Sequence, residues 1–128
     1  MEKAEKVGFW MKSANEAWEM VDLLFENRKY ADALFYGQLY LEKLLKAIYV
    51  SRFDSAPPFL HDLRYLAKKC KLDLTEDLAR NLEIITGFNI NARYDDYKES
   101  FRKTATKEYS LVFKRTIWEV GEWLKKQM

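Results

Sequence analysis

Apolar side chains recur three, four and seven residues apart along most of this chain, the spacing of amphipathic helices. The densest stretch runs from Tyr30 to Tyr49. With Leu34 as zero and about 100° per residue, Tyr30, Leu34, Gly37, Leu41, Leu44, Leu45 and Ile48 fall on one broad arc, which Ala31, Phe35 and Tyr49 widen. So wide an apolar share predicts an interior helix packed on several sides. Gln38 and Glu42 fall inside the arc too. Both need partners if buried, because an unpaired amide or carboxylate costs several kcal/mol there. Gly37 costs about 1 kcal/mol of helix propensity relative to Ala, which predicts the close approach of another backbone.

The flanking segments follow the same logic. Trp10, Ala14, Ala17, Trp18, Val21, Leu24 and Phe25 predict a helix over 9–25. Asn27, Arg28 and Lys29 interrupt it, so the connection is short and the two helices should pack as an antiparallel hairpin. The central helix is expected to end near Arg52 or Phe53, before a loop that Pro57 and Pro58 enforce. Leu63, Leu66, Ala67 and Cys70 predict a two-turn helix after His61 and Asp62. Thr75 is an expected N-cap, with Glu76 and Asp77 in the favoured first turn and Leu78, Leu82, Ile85 and Phe88 as the buried stripe. From Gly87 to Lys103 no clean period survives, and the segment reads as a helix end followed by a long loop. A last helix is expected from Thr104 to Lys126, with Tyr109, Phe113, Thr116, Ile117, Val120 and Leu124 inward. The expectation is an all-α, up-and-down bundle of about five helices, three long and two short, forming one domain over residues 1–128.

Composition supports helices. The chain has 48% hydrophobic, 33% charged and 16% aromatic residues, with only 4 Gly and 2 Pro, too few for the turns of an all-β fold. A net charge of +2 falls short of the strongly basic balance of a dedicated nucleic-acid binder. One cysteine excludes an internal disulfide and a thiolate zinc cluster, and a reducing, cytoplasmic setting is expected. The N-terminus lacks a signal-peptide apolar region, and no apolar run approaches the roughly 18 residues of a membrane span.

Catalytic options are narrow. His61 is the single histidine, and His61 and Cys70 on one helix would face opposite ways. Cys70 belongs to an apolar stripe and reads as a buried, inert thiol. No Glu-x-x-His repeat suggests a di-metal site, the adjacent Asp95 and Asp96 read as solvated loop acids, and no Gly-rich phosphate loop exists. No cofactor or metal is expected. Gln38, Glu42, Lys43 and Lys46 come closest to a constellation. Glu42 and Lys46 are spaced for an intrahelical pair worth a few tenths of a kcal/mol. Alternatively, Glu42 is buried and tied to His61 or Arg93 in a polar network.

Several pieces together resemble HEPN domains: Trp10 and Ala14, then Tyr30-Ala31-x-Ala33 leading to Glu42-Lys43-x-x-Lys46-Ala47, then His61-Asp62-Leu63, then Ala92-Arg93-Tyr94. The resemblance spans about residues 9 to 126 and implies a helical bundle that forms a homodimer. Many HEPN domains are metal-independent ribonucleases whose signature is an arginine followed, after four to six residues, by a histidine. Here Arg93 is followed by Tyr94 and no histidine lies downstream, so no catalytic residue carries over. The chain is similar to small HEPN proteins paired with a minimal nucleotidyltransferase in toxin–antitoxin or nucleotide-handling couples.

The resemblance therefore implies a non-catalytic, homodimeric module binding a nucleotidyltransferase partner, a nucleotide or RNA. The binding candidates are Arg93, to hold phosphate, Tyr94 and Tyr97, to stack on a base, with Lys43 and His61; Gln38, Glu42 and Asp62 are the supporting polar network. A salt bridge of Arg93 to Asp95, Asp96 or Glu42 is the bland alternative. Two other readings stay open: a metal-independent ribonuclease toxin, working either without a histidine or with His61 recruited across the dimer, and a purely structural dimerisation module.

Overall fold

The structure, a computed structural model, describes residues 1–128. It has six helices and no strand: α1 (Lys3–Glu26), α2 (Tyr30–Phe53), α3 (Leu63–Lys69), α4 (Glu76–Arg93), α5 (Asp95–Thr104) and α6 (Lys107–Lys125). Four are long and two short, one long helix more than the expected five-helix bundle.

The central position of α2 follows from its broad apolar arc. It packs against α1, α3, α4, α5 and α6. Leu34, Leu41, Leu44, Leu45 and Ile48 are at most 1% exposed, and each such side chain contributes about 1.5–3 kcal/mol when fully buried. Along α1 the fully buried positions are the small Ala14, Ala17 and Val21, which lets α1 and α2 lie close as a hairpin. Arg28, at φ 60°, reverses the chain between them.

The glycines of the bundle admit side chains rather than backbone. A Cβ on Gly37 would stand 2.6 Å from Ile117 Cδ1, and one on Gly121 would stand 2.6 Å from Tyr40 Cε2. Thus α2 and α6 each lower a glycine under a bulky residue of the other, where another backbone at Gly37 had been expected.

Helix ends obey local chemistry. Thr75 Oγ1 accepts from Leu78 N at 3.1 Å, Asp62 Oδ1 from Tyr65 N at 3.1 Å, and Thr106 Oγ1 from Tyr109 N at 3.2 Å. The Thr106 cap starts α6 later than Thr104.

The segment 87–103 differs from its expected loop. Helix α4 continues to Arg93, only Tyr94 turns extended, at φ −89° and ψ 129°, and α5 begins at once. Asp95 and Asp96 lie in the first turn of α5, where the helix dipole favours anions. Phe101 is its one buried residue, stacked on Phe88 at 5.5 Å. The inner side of α5 carries only Tyr97 and Phe101, four residues apart, too few apolar positions to set a period across 87–103.

No helix is long and apolar enough to cross a membrane.

Candidate functional site

The two polar residues on the apolar arc of α2 are both buried, and they open a hydrogen-bond network that joins α2, the loop before α3 and α4. Glu42 Oε1 accepts from His61 Nδ1 at 2.8 Å and from Gln38 Nε2 at 3.2 Å, while Oε2 accepts from Lys46 Nζ at 3.0 Å. Gln38 Nε2 also donates to the His61 carbonyl at 2.9 Å, and its Oε1 accepts from Asn89 Nδ2 at 2.8 Å. Both amide hydrogens of Gln38 are thereby used. Glu42 thus makes the intrahelical pair with Lys46 and the tie to His61 together. Its link to Arg93 is indirect, through Gln38 and Asn89, whose carbonyl accepts from Arg93 Nε at 3.4 Å.

This network sets the orientation of His61. A carboxylate only accepts, so Nδ1 carries the proton and Nε2 lies on the side away from Glu42. The imidazole is 45% exposed although the carboxylate is only 7% exposed. Lys46 is itself buried, with Nζ 5.5 Å from the Trp10 centroid and 5.8 Å from that of Phe59. Phe59, in the proline loop, is 96% exposed.

Asn89 was missed in the sequence, although its signal resembles that of Gln38: a polar residue in register with Leu82 and Ile85 on the inner stripe of α4. Its Oδ1 is buried and has no hydrogen-bond partner. The burial of Lys46 had no local signal, because the nearer ring over its ammonium, Trp10, comes from α1.

Arg93 occupies a different place. It forms no salt bridge, so the expected alternative partners Asp95, Asp96 and Glu42 are not engaged. Its guanidinium carbon lies 5.5 Å from the centroid of Tyr94. Arg93 and Ala92 line a cleft of about 310 Å³ with Met20, Leu24, Asp32, Phe35 and Tyr36. Tyr97, half exposed, borders another cleft, with Ile84, Phe88 and Tyr109. Lys43 is committed to Ser13 Oγ at 2.5 Å, and Asp62 to the cap of α3. The structure therefore joins His61 with Gln38 and Glu42 and groups Arg93 with Tyr94. It keeps Tyr97 and Lys43 apart from both.

Cys70 is fully buried and its Sγ donates to the Leu45 carbonyl at 3.3 Å. Burial pushes the thiol up to about 11 against the opposing charge of Arg52. Such a thiol is protonated and unreactive at neutral pH.

A helical bundle whose central helix carries a buried Gln–Glu–His network, with an arginine at the end of α4, defines a class of small all-α domain. The HEPN domain family model matches residues 7–127, and the chain belongs to that family. Membership connects it with nucleotides and RNA, ribonuclease toxins being frequent in the family. No curated protein and no solved structure matches the chain.

Proposed function

We propose that this chain is a non-catalytic HEPN module that binds a nucleotide or RNA through the cleft at Arg93, acting as a homodimer alongside a nucleotidyltransferase partner. The carrying observation is the unpaired Arg93 guanidinium over Tyr94, at the edge of a cleft lined by Tyr36 and Phe35. A guanidinium that neutralises no carboxylate offers a bidentate phosphate clamp and a planar face for a base. The sequence favours binding over catalysis, since no histidine follows Arg93.

The test is thermal stability of the purified protein with nucleoside mono-, di- and triphosphates and short RNA oligomers. Binding raises the melting temperature, and Arg93→Ala abolishes the rise. An unchanged melting temperature with every ligand favours a purely structural module.

The oriented His61 imidazole beside the exposed Phe59 favours a second reading, a ribonuclease built on His61. A buried carboxylate holding Nδ1 while Nε2 faces outward is the arrangement of a general base. That reading requires RNA degradation in EDTA, lost in His61→Ala with the fold intact.

A further inference from the structure

Asp32 stands at the edge of the Arg93 cleft. The same Asp32 lines a second cleft, of about 450 Å³, with Arg28, Lys29, Tyr30, Ala31, Arg102 and Ala105. Each volume falls in the range of small-ligand sites, about 300–1,000 Å³.

The second cleft differs from the first in charge. Arg28, Lys29 and Arg102 come from the α1–α2 turn and from α5, and all are exposed. None has a carboxylate within salt-bridge distance, although neighbouring cations on α5 do: Lys98 pairs with Asp95 at 3.4 Å and Lys103 with Glu99 at 3.8 Å. Three unneutralised cations around one concavity repel one another, and a multiply charged anion removes that repulsion. Asp32 is the only acid of either cleft. A carboxylate suits hydrogen bonds from the hydroxyls of a ribose, and its place between the two clefts is the place of a sugar between base and phosphates.

The largest cleft, about 510 Å³ between α3 and α4, offers no comparable set: Arg64 is paired with Glu83 there and Asp62 is used as a cap.

We infer that the joined clefts form one site for a nucleoside polyphosphate. The base lies against Arg93 and Tyr36, the ribose at Asp32, and the di- or triphosphate chain among Arg28, Lys29 and Arg102. The site rests on the nucleotide-binding reading above and gives it a direction and a chain length: affinity must rise with the number of phosphates.

Calorimetric titration at fixed salt tests this with adenosine and guanosine mono-, di- and triphosphates, inorganic tripolyphosphate and a 5′-hydroxyl RNA oligomer. The expected result is an affinity gain of about tenfold for each phosphate added, the worth of one charge-assisted contact. The exposed triple substitution Arg28→Met, Lys29→Met, Arg102→Met removes that gain, so that mono-, di- and triphosphates bind the variant with equal affinity. Circular dichroism confirms that this variant is folded. Nucleotides that bind with equal affinity whatever their phosphate count, or a triple variant with an unchanged gain, overturn the phosphate subsite and leave the nucleotide reading standing. Tripolyphosphate binding that ignores Arg93→Ala, with no nucleotide binding tighter, overturns the joined site. Tighter binding of the RNA oligomer than of any triphosphate overturns the inference in favour of RNA, and no binding by any probe overturns both readings.

Discussion

Glu42→Gln is the sharpest perturbation of the polar network, because it keeps shape and removes only charge and one acceptor. Glu42 receives donors from Lys46, His61 and Gln38 within 3.2 Å. A glutamine accepts at one oxygen only, so at least one of these donors then meets an amide NH2. The Lys46 ammonium, 8% exposed, also loses its counter-charge and keeps only the weaker support of Trp10 and Phe59. Breaking a buried pair by removing one partner costs about 3–5 kcal/mol. The amide that remains and the half-exposed imidazole soften this to about 3 kcal/mol, or a fall of about 10 °C in melting temperature for a chain of this size. Urea unfolding and calorimetry measure it. The double variant Glu42→Leu, Lys46→Met should recover most of the loss, since replacing a buried pair by apolar side chains is often neutral. A Glu42→Gln protein melting within about 2 °C of wild type would mean that the pair is worth no more than an exposed one, about 0.3–0.5 kcal/mol, and would refute the reasoning.

Further outcomes follow from the packing. Gly121→Ala should destabilise by about 1–3 kcal/mol in denaturant titration, because its Cβ meets the Tyr40 ring at 2.6 Å. Gly37→Ala should cost less, since it meets the mobile tip of Ile117 and gains about 1 kcal/mol of helix propensity. Arg52 donates to the carbonyls of Cys70 at 2.6 Å and Gln127 at 3.0 Å, tying the ends of α3 and α6 to α2. Arg52→Met should cost about 1.5–3 kcal/mol and raise hydrogen exchange at the C-terminus. Stability should fall on the alkaline side: from pH 9 to about 11 the unfolded chain releases the Cys70 proton while the folded one keeps it. Cys70→Ala should flatten that part of the pH profile. Burial raises the Tyr40 and Tyr109 phenols above their usual value of 10.0, so the same loss continues above pH 10.

Sequence and structure agree where local chemistry is self-sufficient. The α2 arc, the proline loop and the cap at Thr75 each specify their element from a few neighbouring residues, whereas Asp62, expected in the polar network, caps α3 instead. Helix α5 escaped notice because its anchor is a lone Phe101 and its break from α4 a lone Tyr94. In the site, Gln38 and Glu42 stood out as polar groups on an apolar arc, and their burial required the partners that His61 and Asn89 supply. The choice of His61 over Arg93 as the direct partner of Glu42 depends on how the proline loop folds back over α2, which no periodicity encodes. The cleft of Arg28, Lys29 and Arg102 was invisible for a similar reason: its cations come from segments far apart in sequence.

Chemical-shift mapping of the 15N-labelled protein, titrated with a nucleoside triphosphate, tests the central claim most directly. Binding at the Arg93 cleft predicts the largest backbone amide changes at Arg28 to Tyr36 and at Ala92 to Tyr94, with the amides of Phe59 to His61 little moved. Changes centred on Phe59, His61 and Lys46, with those at Arg93 unmoved, would contradict it.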